Sequence, residues 1–421
     1  MVVVPPEKIE AHEGIDPTAI DPTKIRQRRI AEILPKKMRD CGVDAWLTFT
    51  REGTLDALGW DVAAQKVVGR AACLFALRDG KLHRIAIAAS YDVTGFLESG
   101  LYDEVVAYRS EGLGAHLRDR INALSPDRIA LNFSRDVPNA DGITLGMYRY
   151  LIEILGPQAE SRITSSERLV ISLKGVKFPE EISAIERAAI WTQRMLREAL
   201  SRTAIAPGVT IEKDVAAFLD RRTHELGFKP SFVSVMVGPD RGHADPTDRV
   251  IRHGDLLRTD FGVSLHGYSS DIQRTAYLLR PRETDAPAAV RKVWRTTLAA
   301  NRAAVAAMKP GVMANAVDVA ARAVITGAGY AEYPHAAGHE IGLKVHDVGP
   351  VLGPDWKERY GTAVWHPIEE GQVFAVEPMI YSDIPEVGGV VQVGLEEDVA
   401  VESHGARYFG EPQEELWLLE P

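Results

Sequence analysis

The sequence predicts an α/β region followed by a larger α+β region made of two helix-helix-strand halves. Three observations predict it. The chain has 421 residues, more than one hydrophobic core usually serves. Over the first third, short apolar or alternating runs are interspersed with stretches of helical spacing. Further on, a Pro-Gly-Val turn followed by a helical segment containing Asp-Val-Ala-Ala occurs twice, starting at Pro207 and at Pro310. The expected division is a domain over residues 1–170 and a second over residues 171–421.

Taken in order, Lys24 to Cys41 has helical spacing, and its basic side chains (Lys24, Arg26, Arg28, Arg29, Lys36, Lys37, Arg39) read as a solvated helix face. DAWLTFT, from Asp44, reads as a strand. Ala71 to Ser90 reads as a hairpin turning at Asp79-Gly80, a dipeptide that tolerates the positive φ of tight turns. RIALNFS, from Arg128, reads as a further strand. A boundary falls between residues 165 and 179, where Pro179 opens a long helix with Ile182, Ile185, Ala189, Leu196 and Leu200 on one face. The two Pro-Gly-Val segments, each between a long amphipathic helix and predicted strands, give the two halves, expected to be related by a pseudo-twofold axis.

Composition narrows the function. Hydrophobic residues are 45% and charged residues 26%, as in ordinary globular proteins. A formal net charge of −10 argues against nucleic acid or an anionic membrane as partner. Two cysteines, Cys41 and Cys73, build neither a disulfide framework nor a metal cage, which fits a reducing compartment. The opening MVVVPPEKIEAHEG has no apolar h-region, and no apolar run reaches the ~18 residues of a membrane span. The expectation is a soluble, cytoplasmic protein.

Four carboxylates interrupt apolar strand-like runs. LLRTDFGVSLHGYSSDIQRTAYLL, from Leu256, reads as two strands about the His266-Gly267 turn, with Asp260 in the first and Asp271 in the second. Glu377 interrupts VFAVEPMIY, and Glu397 lies in VVQVGLEEDVAV. A lone strand carboxylate is usually salt-bridged or exposed. Four in one repeated region, beside the histidine-rich HAAGHEIGLKVHD (His335, His339, His346), call for a shared cation. Carboxylate oxygen and imidazole nitrogen suit a pair of divalent ions, whose charge would balance four carboxylates. Other chemistries fail on spacing. His339-Glu340 is followed by Leu343 where a zincin needs its second histidine. No Gly-x-Ser-x-Gly elbow and no phosphate-binding Walker loop occur.

These residues resemble a known family. The order Asp260, Asp271, His339, Glu377, Glu397 resembles the five metal ligands of the pita-bread metallopeptidases, which include methionine aminopeptidase, aminopeptidase P and prolidase, with creatinase as a metal-free relative. HAAGHEIGLKVHD is similar to the proline-specific branch, His-x-x-Gly/Ser-His-x-x-Gly-Leu-x-Val-His-Asp. DFGVSLHGYSSDIQRT, FAVEPMIY and LEEDVAV resemble the branch's other ligand segments. The motifs cover residues 165–421; the region before them resembles the creatinase-type N-domain in size and position only. The resemblance implies a pita-bread domain holding two divalent ions, manganese first, cobalt or zinc next. Asp260 would hold one ion, His339 and Glu377 the other, with Asp271 and Glu397 bridging. It implies hydrolysis of Xaa-Pro bonds in dipeptides or at peptide N-termini, with Glu377 carrying the proton. His243 and His346 would stabilise the tetrahedral intermediate, and His335 would line the substrate pocket with them. A homodimer and a small peptide substrate are implied in the same way.

The sequence departs from the branch in three places. Leu395 stands where the branch often has arginine, two residues before the last glutamate, and Arg359 or Lys357 is a candidate replacement cation. Glu340 adds negative charge beside His339. The segment Pro350 to Pro367, with Trp356, Tyr360 and Trp365, is longer than in aminopeptidase P and is a candidate pocket wall. The departures motivate an alternative function, a metalloenzyme of the same scaffold acting on a non-peptide substrate (sulfonium lyase, phosphoester or amide hydrolase). A third class, a binding module without catalysis, is disfavoured by retention of all five ligand positions.

Overall fold

The structure, a computed structural model, describes residues 20–420 apart from positions 240 and 243. The stretch read for a signal peptide and the candidate His243 therefore lie outside the described residues. Contacts divide the chain into two units, one from Asp21 to Lys174 and the other from Gly175 onwards.

The first unit is a six-stranded sheet: β1 (Ala45–Thr50), β2 (Ala71–Arg78), β3 (Lys81–Ala89), β4 (Glu104–Tyr108), β5 (Ile129–Leu131) and β6 (Ile163–Ser165), in spatial order β4-β3-β2-β1-β5-β6. β2 pairs antiparallel with both β1 and β3, and the outer pairings are parallel. The β2–β3 hairpin turns at Asp79 (φ 52°) and Gly80 (φ 77°), two consecutive left-handed residues that match the strand twist. Leu117, Ile121, Met147 and Leu151, on helices Gly114–Leu124 and Leu145–Leu155, close one core against β1, β2 and β5.

The helix expected over Lys24–Cys41 is present with an interruption: Pro22–Arg28, a π-helical turn over Arg29–Ile33, then Leu34–Cys41. Pro35, which has no N–H to donate, is the second residue after that turn. The solvated basic face is corrected at three positions, because Arg26, Arg29 and Lys37 are buried. The Arg26 guanidinium donates to the Trp60 carbonyl and lies over the Trp60 ring, and Arg29 donates to the Leu173 carbonyl. A long cationic stem can be buried when its donors find backbone acceptors.

In the second unit, helix Pro179–Ala199 starts at Pro179 as predicted, and Glu181 caps its first turn by accepting from the Phe178 amide at 2.7 Å. Helix Glu212–Glu225 follows, then β7 (Lys229–Val237), β8 (Leu256–Leu265), β9 (Tyr268–Ser269) and β10 (Ile272–Leu278). Helices Ala288–Ala307 and Ala314–Gly327 come next. They lead into β11 (Gly338–Glu340), β12 (Val373–Val376), β13 (Met379–Ile384), β14 (Gly389–Gly394), β15 (Glu397–Glu402), β16 (Gly405–Tyr408) and β17 (Trp417–Leu419). A helix pair followed by strands thus occurs twice. Each pair covers its own core. Ile185, Leu196 and Leu219 pack with Leu257, Phe261 and Ile272, whereas Trp294, Val317 and Ile325 pack with Phe374, Ile380 and Val393. Each fully buried large side chain of this kind contributes roughly 1.5–3 kcal/mol. Antiparallel β8 and β10 form one ladder, β11-β12-β15-β16 another, and the Gln273–Glu396 bridge connects them. The carboxylates gather at that junction. Among the described residues no helix is long and apolar enough to cross a membrane.

Candidate metal centre

The candidate residues stand on β8, on β11 and at three breaks between strands. Asp260 lies within β8, Asp271 immediately precedes β10, Glu377 follows β12, and Glu396 falls between β14 and β15. A strand end lets a carboxylate leave the ladder while its neighbours stay hydrogen-bonded. His339, in the middle of β11, points its Nε2 at these acids: 3.4 Å to Asp271 Oδ2, 3.8 Å to Glu377 Oε1 and 4.0 Å to Glu396 Oε1. Its Nδ1 faces the Glu340 carbonyl at 3.3 Å. That contact suits an Nδ1–H tautomer, which leaves Nε2 as the ligating atom. Asp271, His339 and Glu396 are all buried, and one ligand atom from each lies within 4.8 Å of the others.

The last glutamate corrects the sequence reading. Glu396, not Glu397, joins Asp271 and His339. Glu397 points the other way, pairs with the buried Arg274 guanidinium at 2.9 Å and accepts from the Gln413 amide at 2.7 Å. Successive strand residues face opposite sides, so Glu396 and Asp398 share one face and Glu397 takes the other. Asp398 Oδ2 accepts from the Asp271 amide at 3.1 Å. The corrected register also moves the position two residues before the cluster glutamate from Leu395 to Gly394. A β-carbon on Gly394 would come 1.7 Å from Gln273 Oε1, so the missing side chain is what admits Gln273. Gln273 Nε2 in turn approaches Asp260 Oδ2 at 3.4 Å.

The proposed replacement cations are elsewhere. Arg359 donates to the Pro334 carbonyl and lies over the Trp356 and Tyr360 rings, and Lys357 is exposed. The guanidinium beside the cluster belongs to Arg258, buried on β8, with Nη1 3.9 Å from Asp260 Oδ2. Glu340 does not add free charge next to His339. Its carboxylate faces away and meets Lys177 Nζ at 2.5 Å, both side chains being almost wholly buried.

The remaining histidines divide. The His346 ring packs beside His339 with centroids 4.1 Å apart. His335 packs on Tyr333, 5.0 Å between centroids, with Nδ1 at 2.7 Å from the Ala336 carbonyl. His243 is not described; Val237, Arg241 and Thr247 around it all donate to the buried Glu212 carboxylate.

The electrostatics favour a cation. Burial, and then the Asp260 charge, hold the Asp271 carboxyl well above the usual carboxylate range. Burial and then the Asp271 charge do the same to Glu396 and Asp398. Glu377 is pushed up to about 8 by burial, with His339 pulling the other way. Asp271 Oδ1 and Asp398 Oδ1 are buried with no hydrogen-bond donor among the described residues. Asp260, Asp271, Glu377, Glu396, Glu397 and Asp398 make six acids, and Arg258 and Arg274 supply two cations. When all six are deprotonated, as metal ligation requires, four negative charges remain, the charge of two divalent ions. Oxygen-rich sites with one imidazole suit such ions, so the residues present fit a metal centre.

Comparison with known proteins agrees in kind. An uncharacterized peptidase from Staphylococcus saprophyticus is 31% identical over 68% of this chain and 76% of its own. A Xaa-Pro dipeptidase from Pyrococcus furiosus is 31% identical over 59% of this chain and 66% of its own. Among solved structures, a Xaa-Pro dipeptidase from Bacillus anthracis matches with a TM-score of 0.68 at 24% identity, covering 94% of this chain and all of that one. Dipeptidase PepE from Mycobacterium ulcerans matches at 0.70 and 23%, covering 95% and 99%. At these identities the two structures speak for the fold alone, the pita-bread fold. The model of metallopeptidase family M24 matches residues 183–403, more than half of the sequence, and the chain belongs to that family.

Proposed function

We propose that this protein hydrolyses the bond between an N-terminal residue and proline, in dipeptides or short peptides, at a centre of two divalent ions. The observation that carries the proposal is the buried Asp271–His339–Glu396 group, with carboxylate oxygens on Asp271 and Asp398 that no donor among the described residues satisfies. The Xaa-Pro dipeptidase of Pyrococcus furiosus, 31% identical, supports the substrate class. Asp260, Asp271, His339, Glu377 and Glu396 would hold the ions, with Glu396 in the place expected of Glu397. Manganese is the first choice of metal, cobalt or zinc the next. Bound ions supply Lewis-acid chemistry, lowering the pKa of a water and polarising the scissile carbonyl.

The chain's own residues do the rest. Glu377 takes a proton from the attacking water and passes it to the proline nitrogen, which has no proton of its own to keep in the product amine. His346, beside His339, and His243 donate to the oxygen on which charge develops. His335 lines the pocket. The two helix-helix-strand halves are related by a pseudo-twofold axis, residues 1–170 form an accessory domain, and the working form is a cytoplasmic homodimer.

The test is turnover of Xaa-Pro dipeptides, tripeptides and longer peptides with and without manganese, together with elemental analysis. Asp271→Ala abolishes metal-dependent cleavage, a loss of at least ~10³-fold in kcat. Glu396→Gln loses bound metal, whereas Glu397→Gln keeps it. Cleavage by metal-free Asp271→Ala protein would sink the mechanism. Gly394, with Gln273 in the space beside it, favours a second reading, the same centre acting on a non-peptide substrate. Metal-loaded protein that turns over none of the peptides selects that reading.

A further inference from the structure

Arg322 lies on helix Ala314–Gly327, away from the carboxylate cluster, and is buried. Its guanidinium uses three nitrogens at once. Nε donates to Asp318 Oδ2 at 2.5 Å, Nη1 to the Tyr333 carbonyl at 2.8 Å, and Nη2 to the His335 carbonyl at 2.5 Å. The same group lies against two rings, with Cζ 4.0 Å from the Tyr333 centroid and 5.1 Å from that of Trp356. Trp356 stacks on Tyr360 at 6.1 Å and 15°, and Arg359 lies over both rings while donating to the Pro334 carbonyl. Asp318 completes the arrangement, Oδ1 accepting from the Tyr333 hydroxyl at 3.2 Å and the Ala337 amide at 3.0 Å.

One guanidinium thus joins two segments that are separate in sequence. The first is the strap Tyr333 to Ala337, which carries His335 and runs into β11. The second is the loop Pro350 to Pro367. The strap reaches the cluster through its backbone, because the Ala337 carbonyl accepts from the Glu377 amide at 2.8 Å. The loop reaches the same place through Leu352, whose carbonyl accepts from the Ala337 amide at 2.7 Å and whose amide donates to the Gly338 carbonyl at 3.0 Å. The joined segments therefore stand beside the centre, while Asp260, Asp271 and Glu396 are positioned from β8, the start of β10 and the β14–β15 break.

We propose that Arg322 is a positioning residue that holds the His335 strap and the Trp356–Tyr360 loop together as the substrate-side wall of the centre. It acts through His335 and the two rings, and the inference rests on the peptidase reading above. A planar fork is required, since a lysine ammonium has neither the flat face for two rings nor the fixed spread for a carboxylate and two carbonyls.

The experiment uses the manganese-loaded full chain, Xaa-Pro dipeptides, and the variants Arg322→Met, Arg322→Lys and Trp356→Ala. Arg322→Met raises KM about tenfold or more, with kcat and manganese affinity within about threefold of wild type. Arg322→Lys does not restore KM, and Trp356→Ala raises it about threefold. In Trp356→Ala, hydrogen exchange speeds up in residues 333–337 as well as 350–367, and stays unchanged in β12. An unmoved KM in Arg322→Met overturns the inference, as does a joint fall of kcat and manganese affinity, which marks a structural role only. Should Arg322→Met not fold, Trp356→Ala decides: unchanged exchange in the strap overturns the coupling. Wild-type protein that cleaves no peptide sinks the peptidase reading itself; wild-type turnover with an unmoved KM in Arg322→Met sinks only this inference.

Discussion

Two regions of this molecule bury carboxylates, and they do so on opposite terms. In the unit from Asp21 to Lys174, Asp56 is buried but supplied with donors. Asn132 Nδ2 reaches each of its oxygens at 2.9 Å, and the Leu58 amide donates at 2.8 Å. Asn132 Oδ1 is itself satisfied by Trp46 Nε1 at 2.8 Å and Ser166 Oγ at 2.7 Å. In the unit from Gly175, Asp271 and Asp398 face other acids, and each keeps a buried oxygen without a donor among the described residues. A network that is complete when folded serves structure; one that is short of positive charge is built for something it must still bind. Glu340 shows a third arrangement inside the second unit, an acid made permanent by a lysine. Its neighbour in sequence, His339, belongs to the cluster, and strand alternation separates the two uses.

The sharpest way to separate these arrangements is to break the permanent pair. Lys177→Met takes the ammonium away from the buried Glu340 carboxylate, and should cost about 3–5 kcal/mol of unfolding free energy. The double variant Lys177→Met/Glu340→Leu should recover most of that loss, because an apolar pair of similar volume removes both desolvation penalties. Urea denaturation of the single and double variants measures the coupling. Costs that simply add would show that Glu340 is not neutralised by Lys177.

The next largest contrast puts one substitution in each region. Asp56→Asn faces the Asn132 amide with a second amide, and should destabilise by about 1–3 kcal/mol through lost acceptors. Asp271→Asn in metal-free protein removes an acid whose ionisation the fold opposes, and should stabilise by about 1–2 kcal/mol at neutral pH. Excess manganese should reverse the second sign, since binding to the native state adds stability only where the ligands are intact. Both variants destabilising equally in metal-free protein would mean that the cluster is satisfied without a cation.

How much of this was legible in the sequence follows from distance along the chain. The Asp79-Gly80 hairpin, the Pro179 helix start and the paired Pro-Gly-Val helices were readable because turn and cap chemistry is local. The candidate acids stood out because each breaks an apolar run. Their phase did not. Glu396, Glu397 and Asp398 are three consecutive acids, and only the strand's facing, set by Arg274 across the sheet, tells which one meets His339. Alternation could have grouped Glu396 with Asp398, but not chosen the pair's side. Glu340 reads as added charge beside His339 because the lysine that pairs with it is 163 positions away. The solvated basic helix failed for the same reason, since Arg26 and Arg29 are satisfied by carbonyls of Trp60 and Leu173.

The smallest effect, and the one that joins both regions, is the pH dependence of stability without metal. Glu377 has an ordinary value of 4.5 and stands at about 8 in the folded protein, so the native state holds a proton that the unfolded chain releases. Asp271 and Glu396 are shifted in the same direction. A raised native value means more protons bound in the native state than in the unfolded one, so unfolding free energy falls as pH rises. For Glu377 the contribution is complete below about 4.5 and lost through about 8. The slope is about 1.4 kcal/mol per pH unit for each proton at stake. Metal-free protein should therefore lose Tm steadily from pH 5 to pH 8. Manganese should flatten or invert the trend, because ligation requires the deprotonated acids and becomes stronger as pH rises. Asp56 is also raised by burial, though less far than Glu377, so Asp56→Asn should reduce the slope only in the acid part of the range while Glu377→Gln reduces it up to about pH 8. A metal-free Tm that rises between pH 5 and pH 8 would show that the acids of the second unit are compensated within the fold, and the contrast between the two regions would collapse.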